Sequence, residues 1–307
     1  MSDYLNRRTF LQQSAVLGAG VALSPSILSS CKSSEYLEKL TILHTNDTHS
    51  NIEPFPESHS KYPGQGGVSR RQTLIEEIRG SHEHVLLFDA GDIFQGTPYF
   101  NKFNGTLEMK LMSAMKYDAA TMGNHDFDAG LDGFLKAKKH ANFPFLCSNY
   151  NFSDTQLNNE TKPYQIFEKG PFKVGVFGLG IELEGLVPKV CYGNTQHQNP
   201  IPIANHLAKQ LRYEEGCNLV VCLSHLGHFS KQFDMSDTLL AKETADIDLI
   251  IGGHTHTFLE RPEEHQNKEG KRVFINQVGW AGLALGKIDF YLGEPNKTND
   301  YELVLVN

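Results

Sequence analysis

Leu40-Thr41-Ile42-Leu43-His44-Thr45-Asn46-Asp47-Thr48-His49 runs from an apolar, strand-like stretch directly into a loop carrying a carboxylate and an imidazole. Four further islands repeat the pattern, each just after an apolar run: Gly91-Asp92, Gly123-Asn124-His125-Asp126, Ser224-His225 and Gly252-Gly253-His254-Thr255-His256. Carboxylate oxygen and imidazole nitrogen are ligands that suit zinc, manganese and iron. No island contains cysteine, which argues against a closed structural zinc cage and for a catalytic site with open positions. One such island is chance; five in the same context describe a site. Two metals held close together form a device for breaking phosphate esters.

Working outward, apolar runs alternate with helix-like stretches in a βαβ rhythm. Strands are expected at 40–45, 85–88, 119–122, 143–147, 173–177, 219–223 and 249–251, then at 273–277, 286–292 and 301–306. Helices are expected at 68–79, 107–116, 131–140, 203–215 and 237–244. The last strands lack intervening helices, so antiparallel or mixed pairing is expected there. Every island falls at the carboxyl end of an expected strand, the edge where open α/β sheets bind ligands. Gly91, Gly123, Gly252 and Gly253 beside the ligands are expected to permit the tight turns that aim them inward.

With 307 residues, a net charge of −8 and 39% hydrophobic residues, the composition is that of an ordinary globular protein. The acidic balance argues against a nucleic-acid polymer as partner, since phosphate backbones want clustered Lys and Arg. It does not argue against small phosphorylated substrates, because metal ions supply local positive charge.

The N-terminal segment reads differently. Arg7-Arg8 within Asn6–Gln12, followed by an apolar run from Ala15 to Leu23, resembles a twin-arginine export signal. That run is too short to span a bilayer as a helix. Leu28-Ser29-Ser30-Cys31 resembles a bacterial lipobox, with Cys31 the lipid-bearing residue. The expected organisation is a signal over 1–31, a polar tether over 32–39 and one catalytic domain over 40–307. Export across the bacterial inner membrane to a periplasmic or cell-surface, lipid-anchored position follows from that reading. Cys147, Cys191, Cys217 and Cys222 match no zinc-ribbon spacing and select no disulfide pairing.

Read together, the islands resemble the calcineurin-like metallophosphoesterases, in particular their 5′-nucleotidase and UDP-sugar hydrolase branch. The stretches that carry the likeness are Leu43–His49, Asp89–Thr97, Gly123–Asp128, Ser224–Gly227 and Gly252–His256, with Gly66–Arg70 ahead of a helix. The resemblance implies an α/β fold: a four-layer αββα sandwich of two mixed sheets, with the metal site at the carboxyl ends of strands. It implies one divalent ion on Asp47, His49, Asp92 and His256, and a second on Asp92, Asn124, His225 and His254. Manganese, zinc and iron suit these ligands nearly equally. The implied reaction is in-line attack of a metal-bridging hydroxide on a phosphate ester, with a nucleoside 5′-monophosphate or related nucleotide as the leading substrate. His125 corresponds to the family's catalytic histidine and Asp128 to the acid that fixes its tautomer. Asp126 reads as supporting rather than catalytic, and Asn46 as orienting the first loop.

Blander readings apply elsewhere. His44 reads as a satisfied core histidine, and His59, His82, His84, His197 and His265 as solvated. His228 reads as a rim or surface residue. Ser224 lacks the Gly-x-Ser-x-Gly elbow of a serine hydrolase. Trp280, Tyr99 and Phe100 are aromatics to watch as substrate platforms, with core packing the default. The branch carries a C-terminal domain that grips the nucleoside, and none is expected between the last strands and Asn307. Alternatives of substrate and role follow: a broad phosphomonoesterase or phosphodiesterase, a thiosulfohydrolase of the same fold, or a membrane-tethered subunit whose substrate-binding domain is a separate chain.

Overall fold

The structure, a computed structural model, describes residues 38–229, 235–292 and 300–307. The expected export signal, the lipobox with Cys31 and the tether up to residue 37 lie outside the described residues.

Alternation along the strands builds the layers. β1 (Lys39–Thr45), β2 (His84–Asp89) and β3 (Ala119–Ala120) run parallel in one sheet. β12 (Ala284–Tyr291) pairs antiparallel with β1, and β13 (Tyr301–Leu305) antiparallel with β12, giving the order β13-β12-β1-β2-β3. The second sheet takes β5 (Tyr164–Lys169), β6 (Phe172–Gly180), β8 (Leu219–His225), β9 (Leu249–Gly252), β10 (Glu263–Gln266) and β11 (Arg272–Asn276). Its order is β10-β11-β9-β8-β6-β5, with a parallel centre from β6 to β11 and antiparallel edges. A short ladder of β4 (Tyr150–Asn151) and β7 (Gln196–His197) lies apart.

Successive strand side chains point to opposite faces. Leu40, Ile42, Leu86 and Phe88 of the first sheet therefore join Val221, Leu223, Leu249 and Ile251 of the second in one apolar cluster between the sheets. Their neighbours Leu43, Val85 and Leu87 face outward and pack on helices α1 (Val68–Ser81), α3 (Thr106–Ala114) and α4 (Gly130–Lys138), through Ile75, Met109 and Phe134. A shorter helix, α2 (Pro98–Phe103), precedes α3. On the far side Val220, Cys222 and Ile250 meet α6 (Pro200–Lys209) and α7 (Asp237–Glu243) through Leu207 and Leu240. A single turn, α5 (Lys189–Tyr192), precedes α6. The result is helix, sheet, sheet, helix: the four-layer αββα sandwich of two mixed sheets that the sequence implies.

Several boundaries differ. The stretch 143–147 is no strand of a ladder, because its backbone bonds are divided. Leu146 N–H goes to Ala120 at 2.8 Å, Cys147 N–H to Lys162 at 2.8 Å, and Ser148 N–H to Gly178 at 2.8 Å. It crosses from the edge of one sheet to the other. β5 and β10 were not expected, since as edge strands they carry polar residues on much of their length. The helix expected to reach Glu215 leaves α geometry after Lys209 and continues as a π turn over Gln210–Glu214. Among the described residues, no helix is long and apolar enough to cross a membrane, and Cys147, Cys191, Cys217 and Cys222 are free thiols.

Phe88 is fully buried between the sheets, so Phe88→Ala leaves a cavity there. A loss of about 3–5 kcal/mol is expected, measured as a lower denaturation midpoint at unchanged m-value in urea.

Candidate metal centre

The loops after β1, β2, β3, β8 and β9 meet at one end of the sandwich. Each is tied to another. Asp47 N–H bonds Gly91 O at 2.9 Å, and His49 N–H bonds Asp92 O at 3.0 Å, so the first two loops run on as a pair beyond their strands. His254 N–H reaches both Asp47 oxygens at 3.0 Å, which joins the second sheet to the first. His225 Nδ1 faces Ala90 O at 2.7 Å, a second cross-sheet tie.

Side-chain aim comes from unusual backbone. Asp47, His49, Asp92, His254 and His256 all have positive φ, between 47° and 69°. Such left-handed residues other than glycine cost about 1–3 kcal/mol each and persist where surrounding bonds over-determine them. The expectation for the adjacent glycines needs correction. Only Gly91 has a positive φ, at 89°. Gly123 is required for space: a Cβ there would lie 2.2 Å from an Asp92 oxygen and 2.6 Å from the His225 ring.

Two groups result, each with potential ligand atoms within 4.8 Å of one another: Asp47, His49 and His256, and Asp92, His225 and His254. In the first, His256 Nε2 stands 3.4 Å from Asp47 Oδ1 and 3.0 Å from His49 Nε2. In the second, His225 Nε2 stands 3.1 Å from Asp92 Oδ2. His49 Nε2 is 3.8 Å from that same Asp92 oxygen, which places Asp92 between the groups. Asn124 joins the second group, its Oδ1 2.9 Å from His254 Nδ1. All seven residues expected as ligands are therefore brought together.

The donor set fits cations. His225 commits Nδ1 to Ala90 O, and its Nε2 is buried without a hydrogen-bond partner. His49 Nδ1 faces Phe94 O at 3.1 Å, which turns the Nε2 lone pair toward His256 and Asp47. Imidazole lone pairs and carboxylate oxygens converging at these distances repel one another unless a proton or a cation lies among them. The titration behaviour agrees. Burial opposes charge on His225, but Asp92 and Asp47 outweigh it and push the imidazole up to about 10. Burial likewise opposes charge on Asp92, yet His225 and His49 hold its carboxyl below the usual range. A divalent ion satisfies the same carboxylates and leaves the rings neutral as ligands.

His125 lies beside the groups, its ring 5.4 Å from that of His49 and its N–H on Asp92 Oδ1 at 2.8 Å. Its Nδ1 meets Asp128 Oδ2 at 2.8 Å, and that bond raises its pKa against the opposing effect of burial. The pair sits in a single 3₁₀ turn, so Asp128 reaches the ring one turn on.

The supporting residues explain how the loops are locked. The Asp126 carboxylate accepts from Asp92, Ile93, Phe94 and Gly123 N–H at 2.8–3.2 Å. Burial and the Asp92 charge push its pKa upward, while four donors occupy its lone pairs and favour the ionised form. Asn46 donates to Asp47 Oδ2 and Gly279 O at 2.6 Å, and accepts from Val278 N–H at 2.9 Å. Three residues escaped the sequence reading. Asp89 accepts from Thr45 Oγ1 at 2.6 Å and Gly91 N–H at 2.9 Å. Asp237 accepts from Ser224 Oγ behind His225. Gln277 accepts from Thr255 Oγ1 and Thr257 N–H and donates to Gly253 O. The only signal for Gln277 was its place at the end of an expected strand.

Other histidines depart from expectation. His59 is no free surface group: its Nδ1 accepts Tyr62 N–H at 2.9 Å. The His84 side chain is 13% exposed and stands 3.5 Å from Glu38. His228 and His265 share Glu263 at 2.9 and 3.1 Å. His44 is buried as expected, with its pKa lowered to about 3 by burial and Nε2 facing Asn276, but its Nδ1 is buried without a hydrogen-bond partner. Phe100 is core, its ring tilted against Phe94 with centroids 5.6 Å apart, while Tyr99 donates to Glu53 at the exposed surface.

This fold, with Asp and His ligands gathered at the strand ends, is that of a metallophosphatase. A calcineurin-like phosphoesterase family model matches residues 40–258, and the chain belongs to that family. It is 39% identical over 275 residues to a snake venom 5′-nucleotidase of Crotalus adamanteus, covering 82% of this chain and 45% of the relative. The crystal structure of a 5′-nucleotidase precursor from Thermus thermophilus superposes with a TM-score of 0.78 at 30% identity, over 87% of this chain and 54% of that one. A calcineurin-like phosphoesterase from Bacillus subtilis superposes with a TM-score of 0.70 at 27% identity, over 88% and 91%. The chain spans about half the length of the snake venom relative.

Asp126→Asn places an N–H₂ group against two backbone donors. It should lower the stability of the metal-free chain by at least about 2 kcal/mol, measured by urea unfolding in the presence of chelator.

Proposed function

We propose that the chain hydrolyses phosphate esters, with a nucleoside 5′-monophosphate or related nucleotide as substrate. The observation that carries this reading is the pairing of two Asp/His groups with the His125–Asp128 pair beside them. Asp47, His49, Asp92 and His256 would hold one divalent ion, and Asp92, Asn124, His225 and His254 the other, with Asp92 shared. Bound there, the ions would supply Lewis-acid charge to the ester and make water more acidic at neutral pH. Asn124 contributes a neutral oxygen, which limits the negative charge around that chemistry.

His125 acts on the leaving group. Asp128 engages Nδ1, so when the ring is protonated its second proton is on Nε2, the nitrogen turned away from Asp128. The bond to Asp128 raises the imidazole pKa, which favours the protonated ring as donor to the departing oxygen. Manganese, zinc and iron remain equally suited. The nucleotide class rests on the 5′-nucleotidase relatives. We further propose export through a twin-arginine signal and anchoring by lipid on Cys31, supported by Arg7-Arg8, the following apolar run and the lipobox-like Leu28–Cys31.

Metal-loaded protein should hydrolyse AMP, read as phosphate release, faster than p-nitrophenyl phosphate, read as nitrophenol, or UDP-glucose, read as UMP. Equal rates on all three would favour a broad phosphoesterase, and no release with both ions bound would overturn the reading. His125→Ala should lower kcat about 10²- to 10⁴-fold while metal content stays at two ions, whereas Asp92→Asn should lose metal and activity together. Cys31→Ala should move the protein from the membrane to the soluble fraction of the producing cell; unchanged fractionation would remove the lipid anchor from the proposal.

A further inference from the structure

His256 differs from the other expected ligands in how its ring is held. His49 and His225 fix their rings by a backbone carbonyl on Nδ1, Phe94 O and Ala90 O respectively. The His256 side chain is 39% exposed. Its ring lies instead against Trp280, with centroids 5.7 Å apart and planes 6° from parallel. That is offset stacking within the favoured range.

Trp280 is anchored for the task. On one side, Gly279 N–H bonds Thr257 O at 2.9 Å, next to His256. On the other, Ala281 N–H bonds Asp47 O at 2.7 Å. The indole is thus rooted to both loops whose side chains make up this group, and Phe55 meets it edge-on at 5.9 Å. The stacking favours this plane of the imidazole, in which Nε2 faces Asp47 and His49. A metal-bound imidazole also becomes electron-poor, and an electron-rich indole face favours an electron-poor ring over a neutral one.

We infer that Trp280 is a positioning residue for His256, orienting this ligand toward the Asp47–His49 ion by stacking where His49 and His225 use hydrogen bonds. The inference rests on the proposed metal-ligand role of His256. It has a second consequence: Trp280 is the single tryptophan of the chain, so its fluorescence reports on that one metal group.

The test uses the full chain, stripped of metal and titrated with Zn²⁺ by calorimetry and by tryptophan emission. Trp280→Leu should weaken one of the two binding steps by about 10- to 100-fold, the size expected for a residue that orients a ligand, and leave the other unchanged. Trp280→Phe, which keeps a flat ring, should restore most of that loss. In the unsubstituted chain, emission should change with the step that Trp280→Leu weakens. Equal weakening of both steps, no weakening in a folded Trp280→Leu chain, or no rescue by phenylalanine would overturn the inference. So would constant emission while both ions bind. His256→Ala separates the two levels. If it loses a binding step that Trp280→Leu keeps, the stacking role alone fails; if it keeps both steps, the ligand role of His256 fails and takes the inference with it.

Discussion

Two carboxylates, Asp47 and Asp92, are buried where the carboxyl ends of the two sheets meet. Ionised groups taken out of water must be matched by donors or positive charge. Here the match comes partly from the first loop itself, through the Asn46 amide and the His49 ring, and partly from distant segments: the His254 and His125 N–H groups and the His225 and His256 rings. The partners come from the loops after β1, β3, β8 and β9, so satisfying the two acids ties those loops together. The same convergence leaves imidazole lone pairs facing carboxylate oxygens, an arrangement suited to cations.

Holding such loops needs more than the ligands. Left-handed backbone at five ligand positions stores strain, and a set of buried polar side chains keeps it in place. Asp126 gathers four N–H groups from two loops, Asn46 clasps the 278–279 segment, and Gln277 spans the Gly253–Thr257 turn. Their work is to make the ligand geometry the lowest-energy one, which spares reorganisation when metal arrives.

The calcineurin-like phosphoesterase family model covers residues 40–258, the stretch that holds both Asp/His groups. The organic end of the substrate is a separate matter. Long relatives such as the snake venom 5′-nucleotidase extend well beyond the matched region. Of the aromatic side chains, Trp280 stacks on His256, and Tyr62 packs with His59 and Phe258.

The legible part of the molecule was the part with a repeating physical signature. Strand-like runs ending in Asp, His or Asn marked the ligands, because a metal needs those atoms and a sheet edge needs a loop there. Alternation placed Leu40, Ile42, Leu86 and Phe88 on one face. Less legible were edge strands such as β10, whose polar residues carry no period, and the segment 143–147, whose hydrogen bonds are shared among three partners. Local sequence by itself determined which side chains can bind metal and which loops carry them, since ligand chemistry is written in residue type. Only the tertiary structure decided that Asp92 lies between the groups, that Gly123 serves closeness rather than a turn, and that Trp280 faces His256. Those facts depend on distances between residues up to 207 positions apart, and no local pattern encodes such distances.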